Sequence, residues 1–255
     1  MPPLFSTTPR TVVVAVDHPL YSWPVAGLED RRGLLETVVS AGADAVIATY
    51  GTLRDCSDVL AGCTKIMKLD LATLSVGAYR DSEFRLGWTV DDAVRLGADA
   101  VLTYVQLGTD GELDALVDAA RVAAAADRAG VSYVCEIMPV ESAVYPDPFQ
   151  PDAIAGAART AAELGAHVVK TSMPTPPEAI SLATSCDVPV IIAGGELTSD
   201  REGLLRQVET AVAAGASGVA FGRNVWGSRD PAGMVRALRE AVDQPGRRVP
   251  ANSPR

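Results

Sequence analysis

A chain of 255 residues, 48% of them hydrophobic, has apolar material for one large core or two small ones. Its formal net charge of −10 excludes nucleic acid as the main partner, because phosphate backbones are held by clustered cations, whereas a small anionic ligand needs only one local positive site. No apolar run approaches the roughly 18 residues of a membrane span, residues 1–10 lack the apolar core of a signal segment, and Cys56, Cys63, Cys135 and Cys186 form neither a Cys-x-x-Cys pair nor a zinc-spaced cluster, so the expectation is a soluble, cytoplasmic chain with no metal.

After an N-terminal extension at 1–10, the first strand is predicted over 12–16 and gives way to Asp17-His18-Pro19. A short pattern then recurs: Ser40-Ala-Gly-Ala-Asp-Ala-Val-Ile-Ala48, Arg95-Leu-Gly-Ala-Asp-Ala-Val-Leu-Thr103, Arg128-Ala-Gly-Val-Ser-Tyr-Val-Cys-Glu136, Glu163-Leu-Gly-Ala-His-Val-Val-Lys-Thr171 and Ala213-Ala-Gly-Ala-Ser-Gly-Val-Ala-Phe221. Each copy reads as a helix end, a glycine at the cap where positive φ is needed, and a short buried strand. The eight predicted strands are 12–16, 45–48, 65–69, 100–104, 132–137, 167–171, 188–193 and 218–221. Helices are predicted over 112–129, 153–164, 201–214 and 231–242; in the first, Leu113, Leu116, Val117 and Ala120 recur at helical spacing. The stretch 244–255 is rich in Pro and Arg without an apolar period and reads as a flexible tail.

Near-continuous apolar strands separated by helices mean βα units and a parallel sheet. Eight units over residues 11–243 match the usual size of a single (β/α)8 TIM barrel, with no second domain. An open doubly wound sheet would be expected to carry Gly-x-Gly-x-x-Gly after its first strand; this chain has Asp17-His18-Pro19 there.

A barrel places its active site at the C-terminal ends of its strands. The residues predicted there are Asp17 and His18, Lys68 and Asp70, Tyr104 and Gln106, Glu136, Lys170, Gly194 and Gly195 with Glu196, and Gly222, Arg223 and Asn224. The chain has three lysines, Lys65, Lys68 and Lys170, and Lys170 closes an apolar strand. A buried lysine needs an explanation, and arginine cannot serve where an amine must lose its proton. Lys170 therefore reads as a nucleophile: a Schiff base forms from the neutral amine, which an apolar strand and a second cation, Lys68, would both favour. The competing reading is a structural lysine in a salt bridge with Asp17 or Glu136. Asp17 and Glu136 are the candidate proton carriers. His18 is equally a base, a ligand for substrate oxygens or a structural hydrogen-bonding group. Gly194, Gly195, Gly222 and Arg223 follow the last two strands, where many barrels bind phosphate through backbone N–H groups; tight turns alone would also use the glycines. His167, at the bottom of its strand, reads as structural.

Asp17-His18 followed by Gly27-Leu-Glu-Asp30, Val168-Val-Lys-Thr171, Pro189-Val-Ile-Ile-Ala-Gly-Gly195 and Gly218-Val-Ala-Phe-Gly-Arg-Asn-Val-Trp226 resemble the archaeal-type class I fructose-bisphosphate aldolases. The wider group holds the deoxyribose-phosphate and tagatose-bisphosphate aldolases and aminodideoxyheptulosonate synthase. The resemblance spans 11–243 and implies a barrel with Lys170 as the Schiff-base lysine, Asp17 in proton transfer, phosphate in the loops after the last two strands, and no cofactor. Members are often homo-oligomers, with Trp226 or the tail as candidate interface elements. Two departures stand out. The family's Tyr-Pro-Arg-Gly, whose Tyr donates a proton, is replaced by Met138-Pro-Val-Glu141, and Pro19 follows His18 where Gly is usual. Glu136 resembles the glutamate of tagatose-bisphosphate-type aldolases, which makes it the first choice for the acid/base, with Tyr104 and Tyr145 as fallbacks.

The leading expectation is a metal-independent class I aldolase acting on a phosphorylated keto-sugar with a dihydroxyacetone-phosphate-like donor. His18, Lys68, Tyr104, Gly194, Gly195, Gly222 and Arg223 would bind the substrate. The alternatives are a transaldolase-like or acyl-transferring synthase on the same scaffold, and a non-catalytic barrel that binds a sugar phosphate.

Overall fold

The computed structural model describes residues 10–20, 24–72 and 84–245; the predicted extension, apart from Arg10, and the predicted tail beyond residue 245 lie outside them. Eight parallel strands close into a barrel: β1 (Thr11–Ala15), β2 (Ala45–Ala48), β3 (Thr64–Lys68), β6 (Ala100–Leu107), β7 (Ser132–Pro139), β8 (Val168–Thr171), β9 (Val190–Ala193) and β10 (Gly218–Phe221). The ring order is β1-β10-β9-β8-β7-β6-β3-β2, so each barrel strand pairs with its sequence neighbours and β1 closes on β10. A two-stranded antiparallel hairpin, β4 (Asp70–Ala72) and β5 (Phe84–Leu86), interrupts the series after β3.

The outer layer contains α1 (Arg31–Ser40), α2 (Tyr50–Cys56), α3 (Val90–Arg95), α4 (Glu112–Ala129), α5 (Pro151–Glu163), α6 (Ile180–Ala183), α7 (Arg201–Ala213), α8 (Arg223–Trp226) and α9 (Pro231–Asp243). The repeat glycines do what the sequence requires: Gly42, Gly97, Gly130, Gly165 and Gly215 all have positive φ, between 70° and 117°. A second device recurs at helix starts. Asp30, Asp200 and Asp230 each accept a hydrogen bond from the backbone N–H three residues on, at Gly33, Gly203 and Gly233. Such a cap is worth about 1 kcal/mol.

Alternation along the strands fixes the interior. Val13, Ala15, Ile47, Ile66, Leu102, Val134, Val168, Ile191 and Ala220 form an inner apolar cluster, while their neighbours in sequence face the helices. Two residues beyond the inner cluster, on the same face, come Asp17, Lys68, Tyr104, Glu136 and Lys170. The register sets Tyr104 level with Glu136 and Glu136 level with Lys170. A purely apolar plug thus gives way, at one height, to a layer of titratable side chains. Above it, β6 and β7 continue to Leu107 and Pro139, raising a wall on one side of the mouth.

Candidate active site

The titratable layer is the floor of a cavity of about 480 Å3 lined by His18, Lys68, Tyr104, Glu136, Lys170, Gly194, Gly195, Gly222 and Arg223. Asp17 lies beneath, 1% exposed. The structure thus brings together the sequence-predicted site residues. Lys170 Nζ is 2.7 Å from Glu136 Oε1, with side chains 6% and 12% exposed.

Lys68 faces the same mouth as Lys170, the placement that the expectation of a second cation requires, and its charge is balanced by carboxylates. Its Nζ lies 2.6 Å from Asp70 Oδ1 and 3.9 Å from Asp17 Oδ2, and the rings of Phe84 and Tyr104 flank it at 5.3 and 5.6 Å. Burial opposes its charge, but Asp70 and then Asp17 outweigh burial and hold the ammonium above the ordinary lysine range. Most of that balance comes from Asp70, which starts the hairpin strand β4, is buried, and also accepts the Tyr104 N–H. The nearest charged partner of Lys170 is accordingly a carboxylate.

Burial would raise the Asp17 carboxyl, yet the adjacent His18 side chain and the charges of Lys68 and Lys170 overcome this and hold it well below the usual carboxylate range. Burial raises Asp70, only partly offset by Lys68 and the Tyr104 N–H. Two buried aspartates thus differ in character: Asp17 is firmly anionic, and Asp70 is the weaker acid.

His18 Nδ1 is 3.8 Å from Asp17 Oδ1, and its ring meets the edge of the Trp226 indole with centroids 5.1 Å apart. Trp226 Nε1–H donates to the Ala15 carbonyl at 3.0 Å, a bond that spans nearly the whole chain. Trp226 is 8% exposed within the chain and packs at the barrel seam between β1 and β10; the tail, the other candidate interface element, lies outside the described residues. Asn224 is a second group whose role was not read from sequence. Its Nδ2 donates to the carbonyls of Gly194 and Glu196, and its Oδ1 accepts the Thr198 N–H. It binds the loop after β9 to α8, bringing the Gly194-Gly195 and Gly222-Arg223 segments side by side. A Cβ at Gly194 would lie 2.7 Å from the Phe221 ring, so the close approach requires glycine. Arg223 Nη1 is 2.6 Å from Glu196 Oε1 at the rim. Ser172, Met173, Phe149 and Gln207 also line the cavity. They lie on loops and helices whose inward direction has no period-two signal. Tyr104 Oη is 3.8 Å from Met138 Sδ beside the cavity, whereas Tyr145 packs against Gly108 in the loop after β7.

At the other end of the barrel, His167 Nδ1 accepts the Tyr133 N–H, and Nε2 lies 3.1 Å from Asp127. His167 is a structural link, as its place in the strand predicts.

The profile of the DeoC/LacD family aldolases matches residues 11–228. The 2-amino-3,7-dideoxy-D-threo-hept-6-ulosonate synthase of Halobacterium salinarum is 35% identical over 240 residues, covering 93% of this chain and 88% of the relative. The 2-amino-4,5-dihydroxy-6-oxo-7-(phosphonooxy)heptanoate synthase of Streptomyces griseus is 32% identical over 246 residues, covering 96% and 89%. Among solved structures, a Schiff base forming fructose-1,6-bisphosphate aldolase superposes with a TM-score of 0.84 at 31% identity, covering 94% of this chain and 96% of that one.

Proposed function

The chain belongs to the DeoC/LacD family of aldolases and is a carbon–carbon lyase with the class I, Schiff-base aldolase fold; on that premise we propose that it makes or breaks a C–C bond in a phosphorylated keto-sugar, with Lys170 forming the imine. A structural salt bridge would also make the 2.7 Å contact between Lys170 Nζ and Glu136 Oε1; the observation that carries this reading is that the pair lines the open cavity at the barrel mouth, beside the glycines that follow β9 and β10.

The pair supplies the first proton transfer. Glu136 takes a proton from the Lys170 ammonium, and the neutral amine adds to the carbonyl of a dihydroxyacetone-phosphate-like ketone. Protonated Glu136 then delivers that proton to the departing hydroxyl, which leaves as water and generates the iminium. In cleavage, Glu136, again a carboxylate, takes the proton of the hydroxyl next to the breaking bond. The aldehyde departs and the electron pair collects in the enamine. Protonation of the enamine carbon and addition of water release the ketone and restore Lys170. Asp17 serves this sequence as a fixed negative charge facing the cationic imine, because His18 and the lysines keep it anionic. The phosphate of the ketone fits the side of the cavity formed by Gly194, Gly195, Gly222 and Arg223, held together by Asn224.

Borohydride reduction in the presence of dihydroxyacetone phosphate, followed by peptide mass mapping, is expected to label Lys170. Lys170→Ala is expected to lose both the adduct and turnover; full activity in that variant would overturn the assignment. A synthase that joins a three-carbon unit to an aldehyde in a biosynthetic route is the second reading, favoured by the named activities of the Halobacterium and Streptomyces relatives. It uses the same imine and differs in the acceptor.

A further inference from the structure

A second chamber, of about 430 Å3, opens beside the first and shares Tyr104 with it. Resting on the imine-forming role of Lys170, we infer that this chamber receives the aldehyde, and that it selects an aldehyde whose far end carries hydrogen-bond donors, hydroxyl or ammonium, against one that ends in phosphate.

The position follows from the ring order. Lys170 stands on β8, the phosphate-side glycines follow β9 and β10, and the second chamber lies on the other side, over β6 and β7. A ketone bound at Lys170 with its phosphate toward β9 and β10 therefore presents the opposite carbon, where the new bond forms, toward Tyr104. The aldehyde must arrive from that side.

The chamber is built in advance of any ligand. Extension of β6 and β7 beyond the titratable layer supplies its inner wall, with Gln106 at 106 and Val140 just past Pro139. Gly108 has φ +91°, and a Cβ there would lie 2.5 Å from Ser142 Oγ, so the loops after β6 and β7 are packed against each other. The Gly108 N–H donates to Glu112 Oε2 at 2.6 Å, and Thr109 Oγ1 donates to the Gln106 carbonyl at 3.2 Å, fixing the turn. A volume of about 430 Å3 lies within the range of small-molecule sites.

Its charges run against a phosphate. Among the described residues that line it, Arg85 is the one cation, and Arg85 Nη1 is 2.7 Å from Asp114 Oδ2. Asp110 and Glu141 contribute carboxylates that accept hydrogen bonds and repel anions. The contrast is with the first chamber, where Arg223, although paired with Glu196, stands beside backbone glycines and shares the lining with Lys68 and Lys170.

The test uses the full chain with dihydroxyacetone phosphate as donor and three aldehydes of equal carbon number: glyceraldehyde, 3-amino-2-hydroxypropanal and glyceraldehyde 3-phosphate. The wild type is expected to show kcat/KM at least tenfold higher for one or both of the first two than for the third. A preference for the phosphorylated aldehyde, or no preference, overturns the inference. Glu141→Lys is expected to shift the ratio of phosphorylated to neutral acceptor about tenfold toward phosphate, and Asp110→Asn is expected to shift it in the same direction by less. Because each ratio is taken within one protein, partial loss of folded enzyme cancels; an unchanged ratio in both variants overturns the inference. Borohydride trapping of the donor on the wild type separates the two levels. No adduct at Lys170 refutes the imine and this inference with it, whereas an adduct with a phosphate-preferring enzyme refutes only the inference.

Discussion

Replacing Glu136 by Gln tests the proposed chemistry at its centre. At an effective dielectric of about 20, unit charges 2.7 Å apart attract by about 6 kcal/mol. Desolvation of two ions offsets several kcal/mol of that, and truncating one partner of such a pair costs about 3–5 kcal/mol because the other charge is left buried. Gln keeps the volume and one acceptor, so about 3 kcal/mol is expected. For a barrel of this size that lowers Tm by roughly 6–12 °C. Removing Lys170 as well, in Glu136→Gln/Lys170→Met, is expected to recover part of the loss, since no charge is then orphaned. A purely structural pair predicts the same stability pattern and nothing more. If Glu136 carries the protons, turnover of the single variant falls by about 10²–10⁴ even at a temperature where circular dichroism shows it fully folded. KM should move only a few-fold, because the phosphate side of the cavity is untouched. Turnover within threefold of wild type in the folded single variant would refute the assignment and return Glu136 to a structural role.

The remaining predictions concern the surroundings of that pair. Asp17 has a folded pKa below its ordinary value of 3.8, so its contribution to stability is present above about pH 4 and is lost as pH falls toward the lowered value; Asp17→Asn should be less stable at neutral pH and show a shallower acid limb in Tm from pH 5 to 2.5. Trp226→Phe removes the bond to the Ala15 carbonyl at the barrel seam and is expected to cost about 1–3 kcal/mol in urea unfolding. Arg223→Ala should raise KM for phosphorylated donors about tenfold, whereas Glu196→Gln, which frees the guanidinium from a competing carboxylate, should lower it. Opposite shifts in KM at unchanged kcat are the signature; parallel shifts would remove Arg223 from phosphate binding.

The barrel was legible in the sequence because its punctuation is local. Each repeat glycine caps a helix by backbone geometry alone, and each strand declares itself by an apolar run. The titratable layer was legible for the same reason: Asp17, Lys68, Tyr104, Glu136 and Lys170 sit at or near the ends of those runs. What escaped depends on contacts distant in the chain. The hairpin of β4 and β5 brings Asp70 onto Lys68, and this makes the second cation part of a balanced cluster. Trp226 reaches Ala15 across the closing seam, and no local pattern distinguishes that tryptophan from one at an interface. The second chamber depends on β6 and β7 running on to Leu107 and Pro139, past the predicted ends at 104 and 137. Polar Gln106 and the proline at 139 end the apolar runs there, although the backbone pairing continues through them.

Apart from Asp17, just past the end of β1, the titratable layer is carried by rungs of the sheet, while the groups that would recognise the two ends of a substrate are carried largely by loops. That separates the parts of the molecule on which mutation acts. Insertions and charge changes in the loops after β6 and β7 leave the register of Glu136 and Lys170 untouched, so a new acceptor can be tried without rebuilding the proton path. A one-residue slip within β7 or β8, by contrast, would turn Glu136 or Lys170 outward toward the helices and end the chemistry at a stroke. Diversification of substrate in such a chain is therefore expected to proceed rim first, with the floor held constant.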